Sequence, residues 1–222
     1  MVAVPSLVRP VLRPACEGDV PRLVELNRAA YPDLVAADVV YDAAQLGAHL
    51  RVFPAGQLVA DEHGVLIGAL STFIVPRAVD ARSPHTWLEI TDHGTFARHD
   101  PEGDTLYLAD IYTHPSVGGR GVGRMLYDAL FELCRQRGLA RVVAGGRLWG
   151  YFEHEGTLSA GEYVTRVQRG QLHDKVLTSQ LRAGFEVRGI LPGYLDDPRS
   201  GSFATLLVWD NRHRATVRPP GR

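Results

Sequence analysis

A glycine-rich run set between a strand and a helix constrains this chain more than any other feature. The run is Thr113-His114-Pro115-Ser116-Val117-Gly118-Gly119-Arg120-Gly121-Val122-Gly123-Arg124. An apolar segment, Leu106 to Tyr112, leads into it. An amphipathic pattern leads out, with Val122, Met125, Leu126, Ala129, Leu130 and Leu133 at helical spacing on one face. Gly138 is the stop signal, and Arg135 and Arg137 occupy the last turn, where the helix dipole favours cations. A glycine loop that opens a helix aims bare backbone N–H groups at one point, so this end attracts anions.

The identity of the anion is narrowed by what is missing. A nucleoside-triphosphate loop needs Lys and Ser or Thr after its last glycine. Gly118 and Gly123 have the spacing, but Arg124 and Met125 follow, so a magnesium ligand is absent. A dinucleotide fingerprint fails at its third glycine, where Arg124 stands. A glycine-rich turn without any ligand is the remaining local reading. The net charge of -1 gives no electrostatic case for nucleic acid. Two cysteines in 222 residues, Cys16 and Cys134, suggest neither a disulfide framework nor a metal site. Pro5, Pro10 and Pro14 interrupt the apolar residues at the start, so no signal-peptide core is read there. No apolar stretch is long enough to span a bilayer, and a cytoplasmic protein is the expectation.

Along the chain, residues 1–7 read as a loose leader and Val8 to Arg13 as a first strand. Asp19 as N-cap and Pro21 in the first turn open a helix that Tyr31-Pro32-Asp33 breaks. Asp42 to Leu50 is a second helix; Gln57 to Asp61 and Val65 to Val75 form a hairpin. Residues 76–105 form a long connection. Strand 106–113, helix 121–137 and strand Ala140 to Ala144 follow, the last ended by Gly145-Gly146. Residues 147–173 are an insertion with a helix from Ser159 to Arg169, where Ser159 and Glu162 have capping-box spacing. Asp174 to Arg182 is a further helix with Asp174 as N-cap and Gly184 as stop; Phe185 to Leu191 and Ser202 to Trp209 are strands. Hairpins mixed with a crossover imply an α/β fold with one mixed sheet flanked by helices.

The loop resembles the coenzyme A pyrophosphate loop of the GNAT acetyltransferase superfamily, with Thr113-His114-Pro115 for V-x-P and Gly121-Val122-Gly123 for G-x-G. The element order is also similar, which extends the resemblance over about residues 8–210 as one domain, with flexible tails at 1–7 and 211–222. Several segments are similar to the GNAT-like domains fused to bacterial carbon–nitrogen hydrolases, among them Trp87-Leu88-Glu89-Ile90, Gly145-Gly146-Arg147 and His173 to Leu181. The implied fold is a GNAT fold with a single twisted mixed sheet and a helix inserted between the fifth strand and the last core helix. The implied acyl donor is acetyl-CoA. Ile111, Tyr112 and Thr113 would hold the pantetheine arm, and Gly118, Gly119, Arg120, Gly121, Val122, Gly123 and Arg124 the pyrophosphate. Gly118 stands where the family has Gln or Arg, so that anchor is lost or taken by Arg120.

Acyl transfer to an amine needs a base for the amine and an acid for the thiolate. Asp110, which interrupts an apolar strand, is the expected base, against the alternative of a salt-bridged strand residue. Glu89 and Asp92, with His93, form a second acid–base cluster that would contact the acceptor if it is not merely solvated. The resemblance implies a tyrosine four residues before Gly184-Phe185, but Gln180 stands there, and an amide is not a phenol. Tyr151, Tyr163 and Tyr194 are the replacement acids considered, with Tyr151 and Tyr163 placed in the catalytic set. The expected activity is acetyl transfer to a primary amine, of a small molecule or a peptide. The rival is a CoA-binding regulatory or partner domain without turnover. A homodimer is the oligomeric expectation from the family, and no metal is expected.

Overall fold

The computed structural model describes residues 10–35, 40–78 and 80–212. Among the described residues, seven strands form one sheet in the order β1-β2-β3-β4-β5-β7-β6. They are β1 (Val11–Pro14), β2 (Gln57–Glu62), β3 (Val65–Val75), β4 (Thr105–Thr113), β5 (Arg141–Arg147), β6 (Glu186–Leu191) and β7 (Ala204–Asp210). Of these neighbours, β4 and β5 pair in parallel and the rest are antiparallel.

The period-two pattern of the strands divides the core. Leu106, Leu108, Val142 and Ala144 pack under α4 (Val122–Gln136), α5 (Ala160–Gln168) and α6 (Leu177–Ala183). Tyr107, Val143, Leu206 and Val208 point to the other face, under α1 (Val20–Ala30), α2 (Ala43–Val52) and the short α3 (Trp87–Thr91). The mixed sheet, its two helical layers and the helix inserted between β5 and α6 are those expected. Among the described residues no helix is long and apolar enough to cross a membrane.

Local signals act where the sequence places them, with instructive exceptions. Ser159 and Glu162 cap α5 reciprocally, as Asp42 and Gln45 do for α2. Asp19 is the N-cap residue of α1, but its carboxylate makes no cap bond. It takes Arg13, Arg22 and the Cys16 N–H instead. Asp174 accepts from the N–H groups of Val176 and Leu177 at 2.8 and 2.7 Å, so it caps the turn that leads into α6. Gly145-Gly146 does not end β5, which continues to Arg147 paired with β7. Residues 1–9, which hold the leader and the start of the first strand, lie outside the described residues, as do 213–222. Asn211, expected in a tail, is buried and bonds the Leu139 carbonyl at 2.9 Å.

Two irregularities in the middle of the sheet position the site. Ser71 faces Asp110 while Thr72 faces Leu108, so Ala109 is an extra residue on β4 and makes a bulge. The bulge resets the alternation: Ala109 and Asp110 both turn toward the α1 face, where Asp110 meets Asn27 and Tyr31. Pairing between β4 and β5 also stops at Leu108–Ala144, although both strands run on. The strands splay from that point, and the backbone edge of β4 beyond it faces open space.

Candidate active site

The splay opens a cavity of about 270 Å³. One wall is β4 from Leu108 to Thr113, the other is Ala144, Gly145 and Arg147 of β5. Tyr31, Trp87, Tyr127, Lys175, Gln180 and Tyr194 close it. These side chains come from separate segments of the chain, and only the fold brings them together.

Asp110 is the acid of this cavity. Its carboxylate accepts from Tyr31 Oη at 2.6 Å and Asn27 Nδ2 at 3.1 Å. Burial pushes its pKa up to about 6, against the opposing pull of those two donors and of nearby Arg147. A carboxylate with that value exchanges protons near neutral pH. Arg147 is held charged: burial works against its charge, but Asp197 at 2.8 Å and Asp33 at 2.9 Å more than restore it. Nε and Nη2 of its guanidinium are thus engaged by these carboxylates, and Arg147 still lines the cavity. Trp87 Nε1 donates to the Ala109 carbonyl freed at the bulge, at 3.2 Å.

Glycines 145 and 146 explain why β5 does not end where its sequence suggests. A Cβ on Gly145 would lie 2.1 Å from Tyr194 Cζ, and one on Gly146 would lie 2.4 Å from Gln180 Oε1. The strand is bare so that two cavity side chains can lie against it. Gly145→Ala is therefore expected to displace Tyr194 and to cost about 1–3 kcal/mol of stability. Urea denaturation measures it; a variant as stable as the wild type would show that the ring contact is slack.

The glycine loop lies at the Thr113 end of the cavity. Gly119 and Gly121 have φ of +77° and +81°, a conformation only glycine adopts without strain. No backbone bond within the described residues takes up their N–H groups. The first-turn N–H groups of α4 likewise have no carbonyl one turn back within the helix. A Cβ on Gly119, Gly121 or Gly123 would meet nothing within 4 Å, and Gly123 itself lines the cavity. Val122 is core, 3% exposed. Both arginines are engaged elsewhere: Arg120 with Glu62 at the end of β2, Arg124 with Asp128 and the Arg182 carbonyl.

The other expected residues are scattered. Ile111, Tyr112 and Thr113 line the cavity. Tyr151 and Tyr163 do not: Tyr151 donates to the Leu158 carbonyl at 2.9 Å and Tyr163 to Asp174 at 2.9 Å, so both hydroxyls hold the insertion together. Glu89 is exposed and accepts from Thr86 in the cap of α3. Asp92 sits in a left-handed turn beside Arg98. Neither lines the cavity; it is Trp87, two residues before Glu89, that does. Of the four tyrosines that do line it, Tyr127 and Tyr194 are buried beside β5 and α6, and burial pushes both hydroxyls above the ordinary tyrosine value. Tyr127 interacts with Gln180, the residue at the position where the resemblance implies a tyrosine. No group of three or more His, Cys, Asp or Glu among the described residues is arranged for a metal ion.

The model of the acetyltransferase (GNAT) family matches residues 20–151. An uncharacterized N-acetyltransferase of Bacillus subtilis, YkwB, is 33% identical over 200 residues, which cover 90% of this chain and 88% of that one. A probable hydrolase of the same organism, YhcX, is 34% identical over 202 residues, and the chain spans only 38% of its length. Among solved structures, the GNAT-like decarboxylase GphF in complex with isobutyryl-CoA superimposes with a TM-score of 0.76 at 24% identity, over 90% of this chain and 98% of that one.

Proposed function

The chain belongs to the acetyltransferase (GNAT) family, and from that premise we propose that its cavity takes acetyl-CoA and transfers the acetyl group to a primary amine, with Asp110 as the base. Acetyl-CoA supplies the activated acetyl group. Its fit rests on the loop, whose glycines leave open space and unbonded N–H groups at the start of a helix. The isobutyryl-CoA held by GphF, which shares this fold, supports the same reading.

The observation that carries the proposal is the placement of Asp110, a carboxylate that lines the cavity and is held there by Tyr31 and Asn27. Its Oδ atoms hold or release a proton near neutral pH, and an ammonium group beside them would be both bound and relieved of a proton. Tyr127 Oη keeps its proton at ordinary pH and takes, in this reading, the donor role expected of Tyr151 and Tyr163. Residues 8–210 act as one catalytic domain. The floor formed by Tyr31, Trp87 and Leu34 suits the apolar part of an amine.

Calorimetric titration tests the cofactor assignment. Acetyl-CoA is expected to bind with Kd on the order of 1–100 μM, whereas ATP with magnesium and NAD release no heat. The absence of heat with acetyl-CoA at about 1 mM would sink the proposal, since that concentration lies at the upper end of the usual range of KM values.

A further inference from the structure

A chain of three hydrogen-bonded side chains leads from the cavity to the long connection before α3. Tyr194 lines the cavity, and its hydroxyl lies 3.0 Å from that of Tyr107, which is fully buried. The Tyr107 hydroxyl lies 2.8 Å from Nε2 of His85, which is only half-buried in the long connection before α3. His85 Nδ1 lies 2.8 Å from the Ser83 carbonyl.

The last contact fixes the direction of the whole chain. A carbonyl only accepts, so Nδ1 carries the imidazole proton and Nε2 is the acceptor of a neutral ring. The Tyr107 hydroxyl must then donate to His85, and the Tyr194 hydroxyl must donate to Tyr107. Each proton points outward, and the Tyr194 oxygen keeps a lone pair available to accept from the cavity. The chain is also rigid. The Tyr194 carbonyl accepts from Trp87 N–H at 2.8 Å, and the Tyr194 N–H donates to the Ser202 carbonyl. The ring lies against Gly145, whose N–H favours the ionised form of both phenols.

We propose that Tyr194, Tyr107 and His85 form a relay that carries the surplus proton of acyl transfer out of the cavity. The inference rests on the acyl-transfer reading above. An ammonium that becomes an amide nitrogen loses two protons as the nitrogen–carbon bond forms and the carbon–sulfur bond breaks. One proton goes to the departing sulfur, and one is left over. The leftover proton reaches the Tyr194 oxygen as the Tyr194 proton moves to Tyr107 and the Tyr107 proton moves to His85 Nε2. All three groups keep their valence: both tyrosines end neutral, and His85 ends with a proton on each nitrogen and gives one to water. Burial lowers the His85 pKa, so the ring is neutral and ready to accept at pH 7, with Glu89 on α3 the carboxylate that pulls the other way. Tyr107 from β4 and Tyr194 from the β6–β7 connection are the other titratable groups in contact with it. Asp110 remains the group that first meets the ammonium; the relay is the exit.

Two measurements on the full chain test this. In the protein without ligands, long-range 1H–15N spectra are expected to show His85 protonated on Nδ1, and Tyr107→Phe is expected to shift the Nε2 resonance. A proton on Nε2, or a resonance unmoved by Tyr107→Phe, overturns the relay without touching the acyl-transfer reading. In weakly buffered solution, His85→Ala is expected to lower thiol release by about tenfold or more, and added imidazole to restore it. Tyr107→Phe is expected to fall equally and to stay unrescued, because the gap then lies in the core. Wild-type rates in His85→Ala overturn the relay alone. A wild type that releases no thiol with any amine overturns the relay together with the reading beneath it.

Discussion

Asp110→Asn is expected to abolish most acetyl transfer while making the protein more stable. Loss of a general base costs about 10²–10⁴-fold in rate, and an amide cannot take a proton from an ammonium. The new side chain nevertheless fits. Its carbonyl oxygen can accept from Asn27, and its amide nitrogen can donate to Tyr31, whose hydroxyl then turns to the Ile111 carbonyl 3.2 Å away. The gain in stability follows from the raised pKa of the carboxylate it replaces. Between about pH 3.8 and 6 the folded protein binds a proton at Asp110 that the unfolded chain has lost, so stability falls as pH rises through that window. The variant escapes this loss. Its melting temperature should exceed that of the wild type at about pH 7.5, above both values, and the difference should vanish below about pH 4, the ordinary range of an aspartate. Paired melts and thiol-release rates check both halves. A variant that keeps its rate within about threefold removes Asp110 from the base role.

Gly123→Val is expected to separate cofactor binding from folding in the opposite way. The position lies in the first turn of α4, with ordinary helical backbone, and a Cβ there meets no protein atom within 4 Å. Valine has a better helix propensity than glycine, so the melting temperature should hold or rise. The new side chain would occupy the space in front of the loop N–H groups. Acetyl-CoA should bind about 100-fold more weakly, a loss of about 2.7 kcal/mol. Arg120→Ala is the matched control. Its guanidinium is committed to Glu62, so its removal should change the Kd by less than about threefold, the scale of an exposed ion pair. Calorimetry on the two variants decides whether backbone or side chain holds the anion. Unimpaired binding in Gly123→Val would move the pyrophosphate away from this loop.

The parts of this molecule that were legible in its sequence are those encoded by neighbours. The Ser159–Glu162 cap, the stop at Gly184 and the helix after Gly121 depend on residues within one turn of each other. Asp110 was readable because a carboxylate in an apolar strand breaks a local pattern. Its neighbourhood was not: the bulge at Ala109 arises from the register between two strands. Gly145-Gly146 reads as a strand end because glycine weakens strands, yet both glycines are set by Tyr194 and Gln180, which are 49 and 34 residues further on. Tyr151 and Tyr163 carried the right chemical group, and only their bonds to Leu158 and Asp174 reveal that the group is occupied. Tyr31, Trp87, Tyr127 and Arg147 share no spacing and meet only across the splay of β4 and β5.

Acyl transfer at this cavity is tested most directly by continuous detection of free thiol when the wild-type protein is given acetyl-CoA and a panel of primary amines. The expected result is amine-dependent thiol release that rises with pH through about 6, as Asp110 loses its proton. Tight binding of acetyl-CoA with no thiol release for any amine would contradict that role, and would make the chain a CoA-binding domain without turnover.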